Sequence, residues 1–228
     1  MKRRYLRQIT TDPELFEELT ATIIRQVGDL RKMVDEFSSF ARLPKPVFRP
    51  EDAGELARQA IFLQEVAHGA IGFSYSGSTN EPFEADRHQF SQVMTNVLKN
   101  AIEAIEARAR TEDIDYKGRI AVSLDSDAQS ITISVTDNGI GLPAERDRIL
   151  EPYVTTREKG TGLGLAIVNK IVEEHGGEMA FAPVEGGGAR VIMRFARSQS
   201  TNAADSPDPR SAPTPPSAQH HPIREKTR

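Results

Sequence analysis

The stretch GTGLGLAIVNKIVEEHGG, Gly160 to Gly177, is a glycine-rich turn running into a helix. Unpaired amides at a helix start, together with the positive end of its dipole, attract anions, so such a turn predicts bound phosphate. Two common nucleotide folds are excluded by the surrounding residues. A dinucleotide fingerprint needs an apolar strand before G-x-G-x-x-G and an acid about 20 residues on. Here EPYVTTREKGTGLGL, residues 151–165, has no apolar run leading in, and the spacing is G-x-G-x-G. A P-loop would close on Gly-Lys-Ser or Gly-Lys-Thr, and this turn does not.

Outward from the turn, the spacing predicts a helix from Gly162 to His175, stopped by Gly176 and Gly177. EMAFAPVEGGGARVIMRFA, residues 178–196, predicts a closing hairpin around its EGGG turn. GRIAVSLDSDAQSITISVTDNG, residues 118–139, alternates apolar and polar residues on both sides of DSDAQ and predicts another hairpin. DRHQFSQVMTNVLKNAIEAIEAR, residues 86–108, is a strong helix with Phe90, Val93, Met94, Val97, Leu98, Ile102 and Ile105 on its buried side. Before it, PEDAGELARQAIFLQEVA reads as a helix and AIGFSYSG as a short strand. Helices alternating with strands joined by antiparallel turns predict an α+β sandwich, one sheet covered by helices.

Nearer the start, TTDPEL supplies a helix cap at Asp12, Pro13 at the first helical position and Glu14 in the first turn. Leu15, Leu19, Ile23, Val27, Leu30, Val34 and Phe37 follow at three- and four-residue spacing, one apolar stripe on a long helix that ends before Pro44 and Pro46. Such a stripe needs a partner: another helix, including one from a second chain, or the body of its own domain. From Ser198 onward the chain is rich in Pro, Ser and Ala and poor in apolar residues, the composition of a disordered tail. His220 and His221 lie there and read as solvated residues.

The 228 residues suit one domain plus appendages. A net charge of -4 gives no reason to expect nucleic acid as a partner. Zero cysteines exclude disulfides, thiolate zinc sites and cysteine nucleophiles. No apolar run approaches the roughly 18 residues of a membrane span and none follows Met1 as a signal peptide would, so a cytoplasmic chain is expected.

Two further stretches bear on the turn. Asn96 and Asn100 in NVLKNAIEA lie four apart, on one helix face. Amide oxygens there suit a hard cation such as Mg²⁺, although ordinary helix contacts would explain the pair equally well. In VTDNGIGLP, Asp137 ends a strand beside Gly139 and Gly141. A carboxylate so placed can accept from an exocyclic amine such as adenine's, although Asp, Asn and Gly are also ordinary turn residues.

In this order, N-x-x-x-N, D-x-G-x-G and G-T-G-L-G-L resemble the ATP-binding domain of sensor histidine kinases, within the GHKL (Bergerat) group that includes gyrase, Hsp90 and the MutL repair proteins. The aromatic box falls on EPYVTT with Tyr153, and FSSFARLPKP looks like the end of the family's dimerisation hairpin. The likeness spans roughly residues 5 to 197 and is nearest to nitrogen-regulation kinases of the NtrY and NtrB type.

The resemblance implies a two-layer α/β sandwich at 47–197, preceded by a partial dimerisation region at 1–46 and followed by the tail at 198–228. It implies ATP and Mg²⁺ as cofactors. The implied ATP-binding set is Asn96, Lys99 and Asn100; Asp137, Gly139, Ile140 and Gly141; Tyr153, Thr155, Thr156 and Lys159; and Gly160, Thr161, Gly162, Leu163, Gly164 and Leu165. Within it Asp137 would meet the adenine amine, Asn100 would hold Mg²⁺, and Pro152 to Gly160 would form a lid. The implied partners are a response regulator, a histidine-bearing dimerisation helix, and a second copy paired through residues 14–41. The whole protein could be anchored in the inner membrane.

The sequence departs from the family at three places. A cation commonly stands three residues after the second Asn; here Glu103 does, leaving Lys99, Arg157 or Lys159 to neutralise phosphate. The last hairpin commonly carries Gly-Thr, here Gly188-Ala189. The family also phosphorylates a histidine in an H-E-x-x-x-P setting, and none of His68, His88, His175, His220 and His221 has it. The expectation is a catalytic piece that binds ATP but does not phosphorylate itself. The alternatives are a GHKL-type serine kinase, or an ATPase or nucleotide-switched binding module. Asn96 disfavours an ATPase, because the hydrolytic relatives place a carboxylate base there.

Overall fold

The computed structural model describes residues 13–111, 116–143, 148–152 and 160–198. Helix α1, Pro13–Ala41, stands where the stripe predicts it; Asp12 lies outside the described residues. The stripe stays open to solvent, from Phe37 at 47% to Ile23 at 63% exposed. The stripe is therefore not docked on its own domain. No helix among the described residues is long and apolar enough to cross a membrane.

A linker leads to strand β1 (Arg49–Asp52), helix α2 (Ala53–Ala67), and strands β2 (Gly72–Gly77) and β3 (Pro82–Ala85). The segment from Pro50 was expected to be helical throughout. Its first three residues instead belong to β1, which pairs antiparallel with β3 as a two-stranded ribbon. Asp52 then caps α2, its Oδ1 accepting from the Glu55 amide at 2.7 Å.

Helix α3, Arg87–Ala109, is capped by Asp86 and buries every residue expected on its inner side, from Phe90 to Ile105. The hairpin of β4 (Arg119–Ser126) and β5 (Ser130–Asp137) follows, then α4 (Gly164–Glu174), β6 (Glu178–Pro183) and β7 (Ala189–Ala196). The main sheet runs β2-β4-β5-β7-β6. All its pairings are antiparallel except β2 with β4, which are parallel because α3 crosses over between them. Ile120, Val122 and Leu124, Ile131, Ile133 and Val135, and Val191, Met193 and Phe195 alternate onto the face that α2, α3 and α4 cover. The result is an α/β sandwich with one helical layer. Residues 199–228, where a tail was expected, lie outside the described residues.

Candidate nucleotide site

The two-residue period of β5 decides where Asp137 sits. Ile131, Ile133 and Val135 point into the helical layer, and Asp137 continues that row at the strand's end, only 6% exposed. A carboxylate in such a place needs donors. Its Oδ1 accepts from the Gly139 amide at 2.8 Å.

The loop after Asp137 lies directly on α3. A Cβ on Gly139 would come within 2.5 Å of the Ala104 carbonyl carbon, so only glycine fits. The next amide, Ile140, donates to the Ala104 carbonyl oxygen at 3.2 Å. Ala104 is one turn beyond Asn100, which is one turn beyond Asn96, and residues four apart form one ridge of a helix. The same ridge that grips the Asp137 loop thus presents both amides, each half-buried, and Asn100 is about 6 Å along the axis from Ala104. Lys99 lies beside this ridge, exposed and 4.0 Å from Glu103.

Helix α4 packs against α3 and starts at Gly164, where the open space around a would-be Cβ leaves the backbone approachable. Leu163 is its N-cap, fully buried, and supplies no side-chain hydrogen bond to the first turn. Gly162 adopts φ +70°, and the Leu163 amide donates to Thr161 Oγ1 at 3.4 Å. Backbone amides of a helix start without a side-chain cap can meet an anion. Leu165 is in that first turn, and Gly160 and Gly141 are half-buried at the loop ends. Ile140 is 58% exposed, its side chain turned out of the core. Tyr153, Thr155, Thr156, Arg157 and Lys159 lie outside the described residues.

Sequence matching finds the same region. The model of the histidine kinase-, DNA gyrase B- and HSP90-like ATPase family matches residues 85–199, half of the chain. The chain belongs to this ATPase family. NtrY, the nitrogen regulation protein of Azorhizobium caulinodans, is 53% identical over 196 residues, 85% of this chain and 25% of that protein. The chain therefore spans about a quarter of this relative's length. Among solved structures, the nucleotide-free catalytic domain of histidine kinase ThkA is 29% identical over 67% of this chain and 97% of that one, with a TM-score of 0.57. Full-length ShkA in complex with AMPPNP is 28% identical over 86% of this chain and 42% of its own, with a TM-score of 0.63.

Two residues that shape this candidate site, Asn138 and Arg108, were missed from the sequence. The Asn138 side chain accepts from the Arg119 amide at 2.7 Å and donates to the Lys117 carbonyl at 2.9 Å, tying the end of β5 to the start of β4. Arg108, on the same ridge as Asn100 and Ala104, reaches the Asp137 loop. Its position eight residues after Asn100 was legible, but its target was not. A groove of about 390 Å³ is lined by Ser74, Arg119, Ala121 and Thr136 and reaches Asp137 and Asn138 at the end of β5.

Proposed function

We propose that this chain binds Mg-ATP between the α3 ridge, the Asp137 loop and the start of α4, and serves as the catalytic part of a sensor histidine kinase. The observation that carries this is the buried carboxylate of Asp137 at the end of β5, its loop pressed onto the helix that bears both amides. The Asp137 carboxylate accepts from the Gly139 amide, and a carboxylate can accept at more than one position. Another suits the exocyclic amine of adenine. The amides at the start of α4 suit the phosphates. AMPPNP, the ligand of the structural neighbour ShkA, has this combination of base and phosphates.

Asn96 and Asn100 offer oxygen donors on one face, a set that fits a hard cation completed by phosphate and water. Asn100 would hold the magnesium ion, with Asn96 near the phosphates. When bound, the ion would offset charge on the phosphates. Binding and orientation are most of what phosphoryl transfer asks of a protein. In the reaction the terminal phosphoryl group leaves the bridging oxygen of ADP and bonds a histidine nitrogen, for relay to an aspartate of a response regulator.

The acceptor is assigned to a histidine outside this chain, on a dimerisation helix. His68 caps the end of α2, its Nδ1 3.1 Å from the Gln64 carbonyl, and His88 is exposed in the first turn of α3. His175 is buried with both ring nitrogens engaged. The exposed stripe of α1 would pair two chains through residues 14–41. Residues 1–46 then belong to the dimerisation region, 47–197 to the ATP-binding unit and 198–228 to a tail.

Calorimetry with ATP and magnesium tests the reading. Binding is expected in the native chain and about tenfold weaker or worse in Asp137→Ala, the loss of one hydrogen bond to a charged group. With γ-labelled ATP, the chain itself should stay unlabelled, and label should appear on an added histidine-bearing helix. Absence of any heat with ATP would overturn the proposal.

A further inference from the structure

Three backbone carbonyls from two separate elements converge on one nitrogen of Arg108. Its Nη1 donates to the carbonyl oxygens of Asn138 at 3.0 Å and Gly186 at 3.1 Å, with that of Gly139 at 3.5 Å. Asn138 and Gly139 follow Asp137 directly. Gly186 belongs to the β6–β7 turn, 78 residues away from Arg108 in sequence.

The turn is shaped around that guanidinium. Gly187 has φ +103°, and a Cβ there would stand 2.5 Å from Arg108 Nη1. Gly188 has φ +102°, and its Cβ would stand 2.0 Å from the Asp137 carbonyl oxygen. Both positions therefore need glycine for conformation, and Gly188, pressed on backbone, needs it for space as well. On the other side, the Arg108 guanidinium carbon lies 5.3 Å from the centre of the Tyr116 ring. The Tyr116 hydroxyl donates to the same Asn138 carbonyl at 2.9 Å. A planar fork of donors holds several acceptors at fixed angles, which an ammonium on a flexible stem does not.

We propose that Arg108 is a positioning residue for base recognition: it clamps the Asp137 loop to the β6–β7 turn and so sets the direction in which the Asp137 carboxylate meets a purine's exocyclic amine. Arg108 touches no nucleotide itself. It acts through the Asn138 and Gly139 carbonyls, and Gly139 in turn donates to the Asp137 carboxylate. The inference rests on the ATP reading above and adds where its selectivity for the base comes from.

The test compares two probes on the 228-residue chain: ATP, and purine riboside triphosphate, which lacks the amine. The native chain should prefer ATP by about tenfold, one charge-assisted hydrogen bond. In Arg108→Met, affinity for ATP should fall about tenfold while that for the amine-free probe changes little, so the preference shrinks toward unity. Arg108→Lys should fall between, and it decides the matter if the Met variant is unfolded at the assay temperature. A clamp of merely structural role would weaken both probes equally and leave the preference intact, which overturns the inference. A native chain that binds ATP without preferring it also overturns the inference, and one that does not bind ATP at all ends both it and the ATP reading.

Discussion

The Nε2 atom of His175 accepts a hydrogen bond from the backbone N–H of Asp86 at 3.1 Å, while its Nδ1 lies 2.8 Å from the Ile171 carbonyl. Those partners fix the neutral ring with its proton on Nδ1. Phe48, from the linker after α1, meets the ring edge-on at a centroid distance of 5.1 Å. The Asp86 carboxylate accepts from Val47 on the same linker at 2.9 Å, and from His88 and Gln89 at the start of α3. The end of α4, the start of α3 and the linker are thus joined at one point.

Burial lowers the His175 pKa below its usual 6.5, against smaller opposing effects of the Ile171 carbonyl, Asp86 and Glu174. The unfolded chain therefore takes up a proton before the folded one does. The contribution of the neutral ring is fully present above about pH 6.5 and is lost as pH falls below it toward the folded-state value. Urea midpoints measured across that window should decline in the native chain and decline less in His175→Gln. Parallel slopes would contradict this assignment.

Asp86 is held below the usual carboxylate range: burial opposes its charge, but the amides of Val47, Gln89 and His88, with His175, outweigh it. Its contribution is present above the ordinary aspartate pKa and lost as pH falls through the lower folded value. Asp86→Ala should cost about 0.5–2 kcal/mol for the cap. It should also release the linker, measurable as faster hydrogen exchange at the Val47 amide. Unchanged protection at Val47 would refute the tether.

Gly139 and Gly164 should separate fold from ligand. Gly139→Ala drives a methyl group into the α3 backbone at Ala104, a cost of about 1–3 kcal/mol seen as a lower melting temperature. Gly164→Ala meets nothing within 4 Å and should lose no stability. If phosphate lies against the start of α4, that second variant still weakens ATP binding. Equal melting losses in the two variants would be the contrary result.

Asn100→Ala tests the metal. In the native chain, adding a chelator should weaken ATP binding, and in Asn100→Ala the chelator should make little further difference. A variant that keeps the full response to magnesium would place the ion elsewhere.

Val27 and Leu30 are each about 60% exposed on α1. Replacing both with Glu should reduce any self-association seen by sedimentation while leaving the unfolding free energy of the catalytic unit within about 0.5 kcal/mol of native. A native chain whose sedimentation is unchanged by the double substitution would remove α1 as the pairing surface.

Local patterning determined a good deal without coordinates. The stripe of α1, the inner face of α3, both hairpins and the glycine stops of α4 were legible because period 2 and period 3.6 are written into neighbouring residues. Asp137 was legible as a strand end for the same reason. Tertiary structure alone decided the rest. Strands β1 and β3 are four residues each and exist only because each supplies the other's ladder across some 30 positions. The parallel pairing of β2 with β4 depends on how α3 crosses between them. Arg108 reads as one more surface cation in ARAR, yet its guanidinium joins the Asp137 loop to a turn 78 residues on. A side chain's periodic position follows from its neighbours in sequence. The carbonyls it will meet are set by loops with no periodicity, and those take shape only when distant elements pack.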